Sequence, residues 1–413
     1  MAGSKRDVVV IGAGLAGLRC AALLCAHGRD VAVWEAADQI GGRVRTDEID
    51  GFRCDRGFQV LNPAYPDLKR AVDLSLLDLQ SFDVGVGIRR DHDSTRWVHP
   101  LRSPAGLPAM VTGGGLGARD VLALARWAAP ALRPAALKKG RDTSLREALD
   151  RSGVNGLART VIERFLAGVV LEDRGATSNA FVLLLARLFA LGAPGLPADG
   201  MRALPRALAA PIRDRITLDR AVIDIDRAGD GWTVSAQTHT VHAREVVVAT
   251  DPVTAAALTG APAPPMHGVV TDWWATQREI PGPPMLWVDG RADPPGPVLN
   301  TAVISKAAPS YAPSGYHLVA ASALLGVDGR PPDESIVRTH AADILGADAR
   351  DWTLLVRHVI DHALPAQLPP LQVRRAIRTP DGMWVCGDHR DTASIQGALV
   401  SGRRTAAAML GHG

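Results

Sequence analysis

Three glycines, Gly12, Gly14 and Gly17, stand in G-x-G-x-x-G spacing between a β-branched run at residues 7–11 and a helix-forming stretch at residues 15–27, and Glu35 closes the next apolar run, residues 31–34. Glycines at this spacing cradle a pyrophosphate. Gly12 permits a tight turn, Gly14 lets the backbone approach the phosphates, and Gly17 lets the following helix pack close to the strand. The helix start turns unpaired N–H groups and the positive end of its dipole toward the phosphates. Glu35 suits an adenosine ribose, whose 2′- and 3′-hydroxyls both donate to a carboxylate, and it would repel a 2′-phosphate. The spacing therefore predicts dinucleotide binding, with FAD and NAD both open on this motif alone.

A second set of residues follows within a few positions. Gly41-Gly42-Arg43-Val44-Arg45-Thr46 places two glycines, which let a loop run close to a bound cofactor, beside a fixed cation. Near the other end, Gly387-Asp388 follows a short apolar strand and precedes a helix beginning near Ser394 and Ile395. With Glu35-Ala36, the first set resembles the start of the flavin amine oxidase superfamily, G-x-G-x-x-G, E-A, then G-G-R-x-x-T. The resemblance implies FAD held by Gly12, Gly14, Gly17, Glu35, Gly41, Gly42, Arg43, Val222, Gly387, Asp388 and Ile395. In the family, the acidic residue after the last strand binds a ribityl hydroxyl. The helix after it points its N-terminus at the flavin pyrimidine edge, where a positive dipole end stabilises charge on the reduced ring.

Between the two ends, Leu196-Pro-Ala-Asp-Gly-Met-Arg-Ala-Leu-Pro205 resembles the P-x-G-G-M-x-x-L-P segment of carotenoid desaturases and protoporphyrinogen oxidases, with Asp199 in place of a family glycine. The resemblance covers roughly half of the chain, its motifs in family order. It places the Val222 backbone against the adenine. Family amine oxidases use a lysine-held water near the flavin and an aromatic cage. Lys306 is the one lysine after Lys139 and so the candidate for that role, but no aromatic residue precedes the last helix where the cage would need one. Gln59 and Tyr65 follow the region that enters the flavin site in the family, which makes these two the substrate-side candidates. With no cysteine at residues 394–402, the FAD is expected to be non-covalent.

The function expected is FAD-dependent removal of a hydride equivalent from a small apolar or amine-bearing molecule, as in desaturases, dehydrogenases and oxidases. A redox-neutral flavin isomerase or mutase, and a non-catalytic binding protein on the same frame, are the two other readings. The histidines at His99, His267, His317, His358, His362 and His389 are scattered and suggest no acid/base pair.

Such chemistry needs a frame. The 413 residues are enough for two or three domains. The expected architecture is α/β: a Rossmann-type FAD-binding domain assembled from residues 1–85, 205–260 and 370–413, beside an α+β substrate domain of residues 86–204 and 261–369. Short Ala/Leu/Arg-rich helices are expected over residues 101–210, and a strand meander after residue 216 with a hairpin turn at Asp230-Gly231. A net charge of +3, from 46 basic and 43 acidic residues, offers no stripe for nucleic acid. Cys20, Cys25, Cys54 and Cys386 lack metal-ligand spacing and fit buried thiols in a reducing cytoplasm. The absence of a long apolar run argues against a spanning helix and leaves peripheral membrane contact open.

Overall fold

The computed structural model describes residues 5–99, 113, 115–137 and 140–411. Among these, two seven-stranded sheets organise the chain. In the first, the strand Lys5–Ile11 lies between Val31–Trp34 and His239–Val248, parallel to both. Its core residues alternate between two packed faces: Val8 and Val10 join the cluster built around the helix Leu15–Ala26, whereas Val9 and Ile11 join the one around Trp232 and Val234. Burial on both faces is why the run is continuously apolar, and each such side chain contributes about 2 kcal/mol.

Ile216–Thr217 extends this sheet beyond Val31–Trp34, and Trp384–Val385 pairs in parallel with the far half of His239–Val248. The meander Val222–Ala228, Gly231–Ala236 and His239–Val248 forms as expected, but its first turn sits one residue earlier than predicted. Ala228 pairs with Gly231, so the two-residue loop is Gly229-Asp230, with Gly229 at φ 59°. Gly231 is itself in the strand, where a Cβ would run into the Ala243 carbonyl.

The second sheet runs, in spatial order, Thr353–Pro365, Met266–Thr276, His317–Leu324, Val298–Val303, Leu286–Asp289, Gly85–Arg89 and Ser94–Val98. Trp273 and Trp274 are both fully buried but point to opposite faces. Trp274 packs under the helix Glu334–Leu345 and donates its Nε1–H to Glu334 at 2.7 Å, while Trp273 joins the core shared with the first sheet. Part of the expected helical region, residues 101–112, lies outside the described residues. The remainder contains the helices Ala118–Ala128, Leu145–Ser152, Gly156–Val170, Asn179–Leu191 and Ala203–Ala209.

The last helix, Ile395–Met409, packs along the first, Leu15–Ala26. Gly402 makes this approach possible, since a Cβ there would collide with the Ala16 carbonyl. No helix among the described residues is long and apolar enough to cross a membrane.

Candidate active site

The glycine loop does what its spacing requires. Gly12 has φ 103°, and a Cβ there would meet the Ala249 carbonyl oxygen at 2.9 Å. A Cβ on Gly17 would strike the Gly12 carbonyl, so the helix start can close on the strand only without one. Gly14 has open space where its side chain would be, and it lines a cavity of about 1010 Å³. The Glu35 carboxylate is fixed at the same end: the Ala13 N–H donates to Oε2 at 2.6 Å and the Ala37 N–H to Oε1 at 3.0 Å. Arg220, Ala221 and Val222 complete this end of the cavity, as do Thr250 and Asp251.

The Gly41-Gly42-Arg43 loop lies against the glycine loop, backbone to backbone. The Gly41 N–H donates to the Ala13 carbonyl at 2.9 Å, and a Cβ on Gly42 would stand 3.4 Å from the Gly14 Cα. Arg43 then spans the cavity wall, donating to the Ala363 carbonyl at 2.8 Å and to Asp388 Oδ1 at 2.7 Å. Burial alone would lower the Arg43 guanidinium, yet the Asp388 carboxylate holds it above its ordinary value. Burial would likewise raise the Asp251 carboxyl, but hydrogen bonds from Thr254 and Val253 and the charge of Arg43 keep it low.

Asp388 is positioned by the turn after Trp384–Val385, where the Gly387 N–H donates to Ser401 Oγ at 3.1 Å. The following helix is capped by Ser394, whose Oγ accepts the Gly397 N–H at 3.0 Å, and Ser394 and Ile395 both line the cavity. The 196–205 segment acts from behind. Buried Asp55 accepts hydrogen bonds from Tyr311, from the Met201 N–H and from Thr46, and Thr46 accepts the Arg202 N–H at 3.0 Å. Burial pushes the Asp55 carboxyl up to about 6. Asp199, the departure from the family glycine, forms ion pairs with Arg202 and Arg206, each at 2.7 Å.

All of the residues proposed to hold the cofactor, except Gly17 behind the loop, line this one cavity, as do Gln59 and Tyr65. The Gln59 amide donates to the Arg43 and Arg56 carbonyls at 2.8 and 3.0 Å, so it braces the Arg43 loop. Tyr65 follows an Asn62 turn in which Oδ1 accepts the Ala64 N–H at 2.9 Å, and burial raises its phenol to about 12. Lys306 is not brought here. It sits in the short helix Ile304–Ala307, with Nζ donating to the Ile280 and Gly282 carbonyls and paired with Glu279 at 3.0 Å. Three partners hold it outside the cavity lining.

Besides the glycine end, the cavity includes an apolar chamber that the sequence did not announce. Its wall includes Phe82, Trp97, Trp127, Phe165, Leu185 and Phe189, with Asn300 and Ser322 on the second sheet. These apolar positions lie on helix and strand faces, where they read as ordinary core.

The sequence profile of the flavin containing amine oxidoreductase family matches residues 15–410. The chain belongs to this family. Among its curated members, a putrescine oxidase from Kocuria rosea is 33% identical over 282 residues, which are 60% of this chain and 57% of that one. A chloroplastic protoporphyrinogen oxidase from Nicotiana tabacum is 30% identical over 175 residues, 41% of this chain and 30% of that one. The chain thus covers less than two thirds of these relatives' length. An oxidoreductase structure from Methanosarcina mazei shares the fold with a TM-score of 0.75 at 16% identity, covering 97% of this chain and 99% of that one.

Membership in the flavin-containing amine oxidoreductase family implies a flavin cofactor, FAD. The residues present fit it. Gly14 leaves open space beside a helix N-terminus, Glu35 lines the cavity, and the Arg43–Asp388 pair stands on the same wall. Among the described residues, no cluster of three or more His, Cys, Asp and Glu side chains could hold a metal ion.

Proposed function

We propose that this protein uses non-covalently held FAD to remove a hydride equivalent from a small, predominantly apolar molecule, as an oxidase, dehydrogenase or desaturase. The observation that carries this reading is the continuity of the cavity, which joins the dinucleotide-type cradle at Gly12, Gly14 and Glu35 to a chamber walled by aromatic and aliphatic side chains.

When bound, FAD supplies the two-electron acceptor. Gly12 would turn the loop, with its own N–H held by the Trp34 carbonyl, so that Gly14 and the helix start could offer backbone N–H groups to its pyrophosphate, while Glu35 would accept from the ribose and Asp388, held by Arg43, would meet a ribityl hydroxyl. The start of the helix Ile395–Met409, which lines the cavity, would present its positive end to negative charge developing on reduction. Phe82, Phe165 and Phe189 exclude water and hold the substrate in place, so that positioning supplies much of the rate. Ala393, just before the last helix, offers no ring to an amine cage. Non-covalent attachment is supported by Cys386, which is fully buried and absent from the cavity wall. Residues 1–85, 205–260 and 370–413 are proposed as the cofactor domain, and residues 86–204 and 261–369 as the substrate domain.

The test is the visible spectrum of the purified protein before and after heat denaturation and filtration, followed by anaerobic substrate addition. Flavin bands that pass the filter, and bleach with an apolar substrate, are expected. Colourless protein that takes up no added FAD would refute the reading.

A further inference from the structure

The chamber wall contains a buried carboxamide without a protein partner among the described residues. Asn300 lies in the strand Val298–Val303, is 3% exposed and lines the cavity, yet its carboxamide makes no hydrogen bond to the protein. Buried amides are nearly always paired, so an open one facing a cavity points to a group supplied from outside.

The surroundings are arranged around this carboxamide. Asn300 is paired across the sheet with Ser322, after an irregularity that follows Val298. Ser322 also lines the cavity, and its Oγ lies 2.9 Å from Thr271 Oγ1. When Thr271 donates in that contact, the Ser322 proton is free to point into the chamber beside the Asn300 amide hydrogens. Opposite, Gly168 lies within the helix Gly156–Val170, a position where alanine is the better helix former. A Cβ at Gly168 would collide with the Asn300 carboxamide nitrogen. The glycine therefore keeps room for the amide.

The carboxylates that line the cavity are all committed elsewhere or lie in solvent. Asp388 is paired with Arg43, Glu35 holds two backbone amides, Asp251 caps the helix Pro252–Thr259, and Asp83 is exposed. Apart from exposed Asp83, the cavity wall thus offers a substrate ammonium no unengaged carboxylate among the described residues. It offers a neutral oxygen two donors.

We propose that Asn300 and Ser322 are specificity-determining residues that recognise one uncharged hydrogen-bonding group, a carbonyl or hydroxyl, on an otherwise apolar substrate. This rests on the reading of the cavity as the substrate site, and it sets the substrate class apart from the diamines.

The experiment compares 2-acetylnaphthalene with 2-isopropenylnaphthalene, equal in shape but differing in C=O against C=CH2, by equilibrium dialysis against the flavin-loaded protein. Flavin content is measured before each titration. The wild type should prefer the ketone by about tenfold. Asn300→Leu should abolish that preference while still binding the hydrocarbon. Gly168→Ala, which leaves Asn300 in the sequence but displaces its carboxamide, should reduce it too. An undiminished ketone preference in both variants, or no preference in the wild type, would overturn the proposal. Because the preference is read without turnover, it is separable from the proposed function, which fails if FAD is not bound or not reduced.

Discussion

Arg43 and Asp388, 345 positions apart in the chain, meet at 2.7 Å on the wall of the cofactor cavity. The contact ties the loop after the second strand to the turn after the last one, so each half of the flavin signature is positioned by the other. Arg43→Met and Asp388→Asn should each weaken FAD retention by roughly 10- to 100-fold, since each removes a charge-assisted hydrogen bond. The double variant should be little worse than either single one. Recovery of flavin fluorescence on dilution measures all three.

Gly17→Ala should abolish flavin binding more severely than Gly14→Ala. The first places a methyl group into the Gly12 carbonyl and forces the helix away from the strand, whereas the second meets open space in the protein and interferes only with the phosphates. Circular dichroism and flavin stoichiometry together separate the two cases: Gly17→Ala should lose thermal stability as well as FAD, and Gly14→Ala only FAD.

Lys306→Met should leave the rate constant for anaerobic flavin reduction within about twofold of wild type, because its Nζ is occupied by two carbonyls and Glu279 outside the cavity. A hundredfold fall in stopped-flow reduction would restore the lysine to a catalytic role.

Much of the candidate cofactor site was legible because its signals are local. Gly12, Gly14, Gly17 and Glu35 sit within a single strand–helix–strand passage, and each has a reason visible in its immediate neighbours. The substrate chamber was not legible. Phe82, Phe165 and Phe189 come from separate segments, and their exposure to a cavity depends on packing that no local pattern encodes. Lys306 misled because rarity in the sequence says nothing about direction, and Asp55 went unnoticed although it links Thr46, Met201 and Tyr311. Asn300 looks like any polar residue in a strand until Gly168 is seen across from it.

His389 gives the stability a dependence on acid. The ring is buried, neither nitrogen has a hydrogen-bond partner, and burial holds it down at about 4 against an ordinary value near 6.5. Between these values the unfolded chain takes up a proton that the folded chain refuses. The contribution is therefore complete above pH 6.5 and is lost as pH falls through about 4, amounting to about 3 kcal/mol. Asp55 and Asp272, both raised to about 6 by burial, act in the opposite sense, losing stabilisation as pH rises from about 4 to 6. Urea midpoints of wild type and His389→Met at pH 4.5 and 7.5 isolate the histidine. The variant should lose less stability on acidification, and equal losses would remove His389 as the cause.

The packing of Gly402 against the Ala16 carbonyl sets an order of events during synthesis. The strand Lys5–Ile11 and the helix Leu15–Ala26 emerge from the ribosome long before their partner helix and the parallel strand Trp384–Val385. Until then the nascent chain has a phosphate cradle without the Asp388 side of the site. Ribosome-bound chains stalled before residue 384 should therefore capture no flavin, so cofactor loading should wait on the emergence of the helix Ile395–Met409 however fast the residues before it are made.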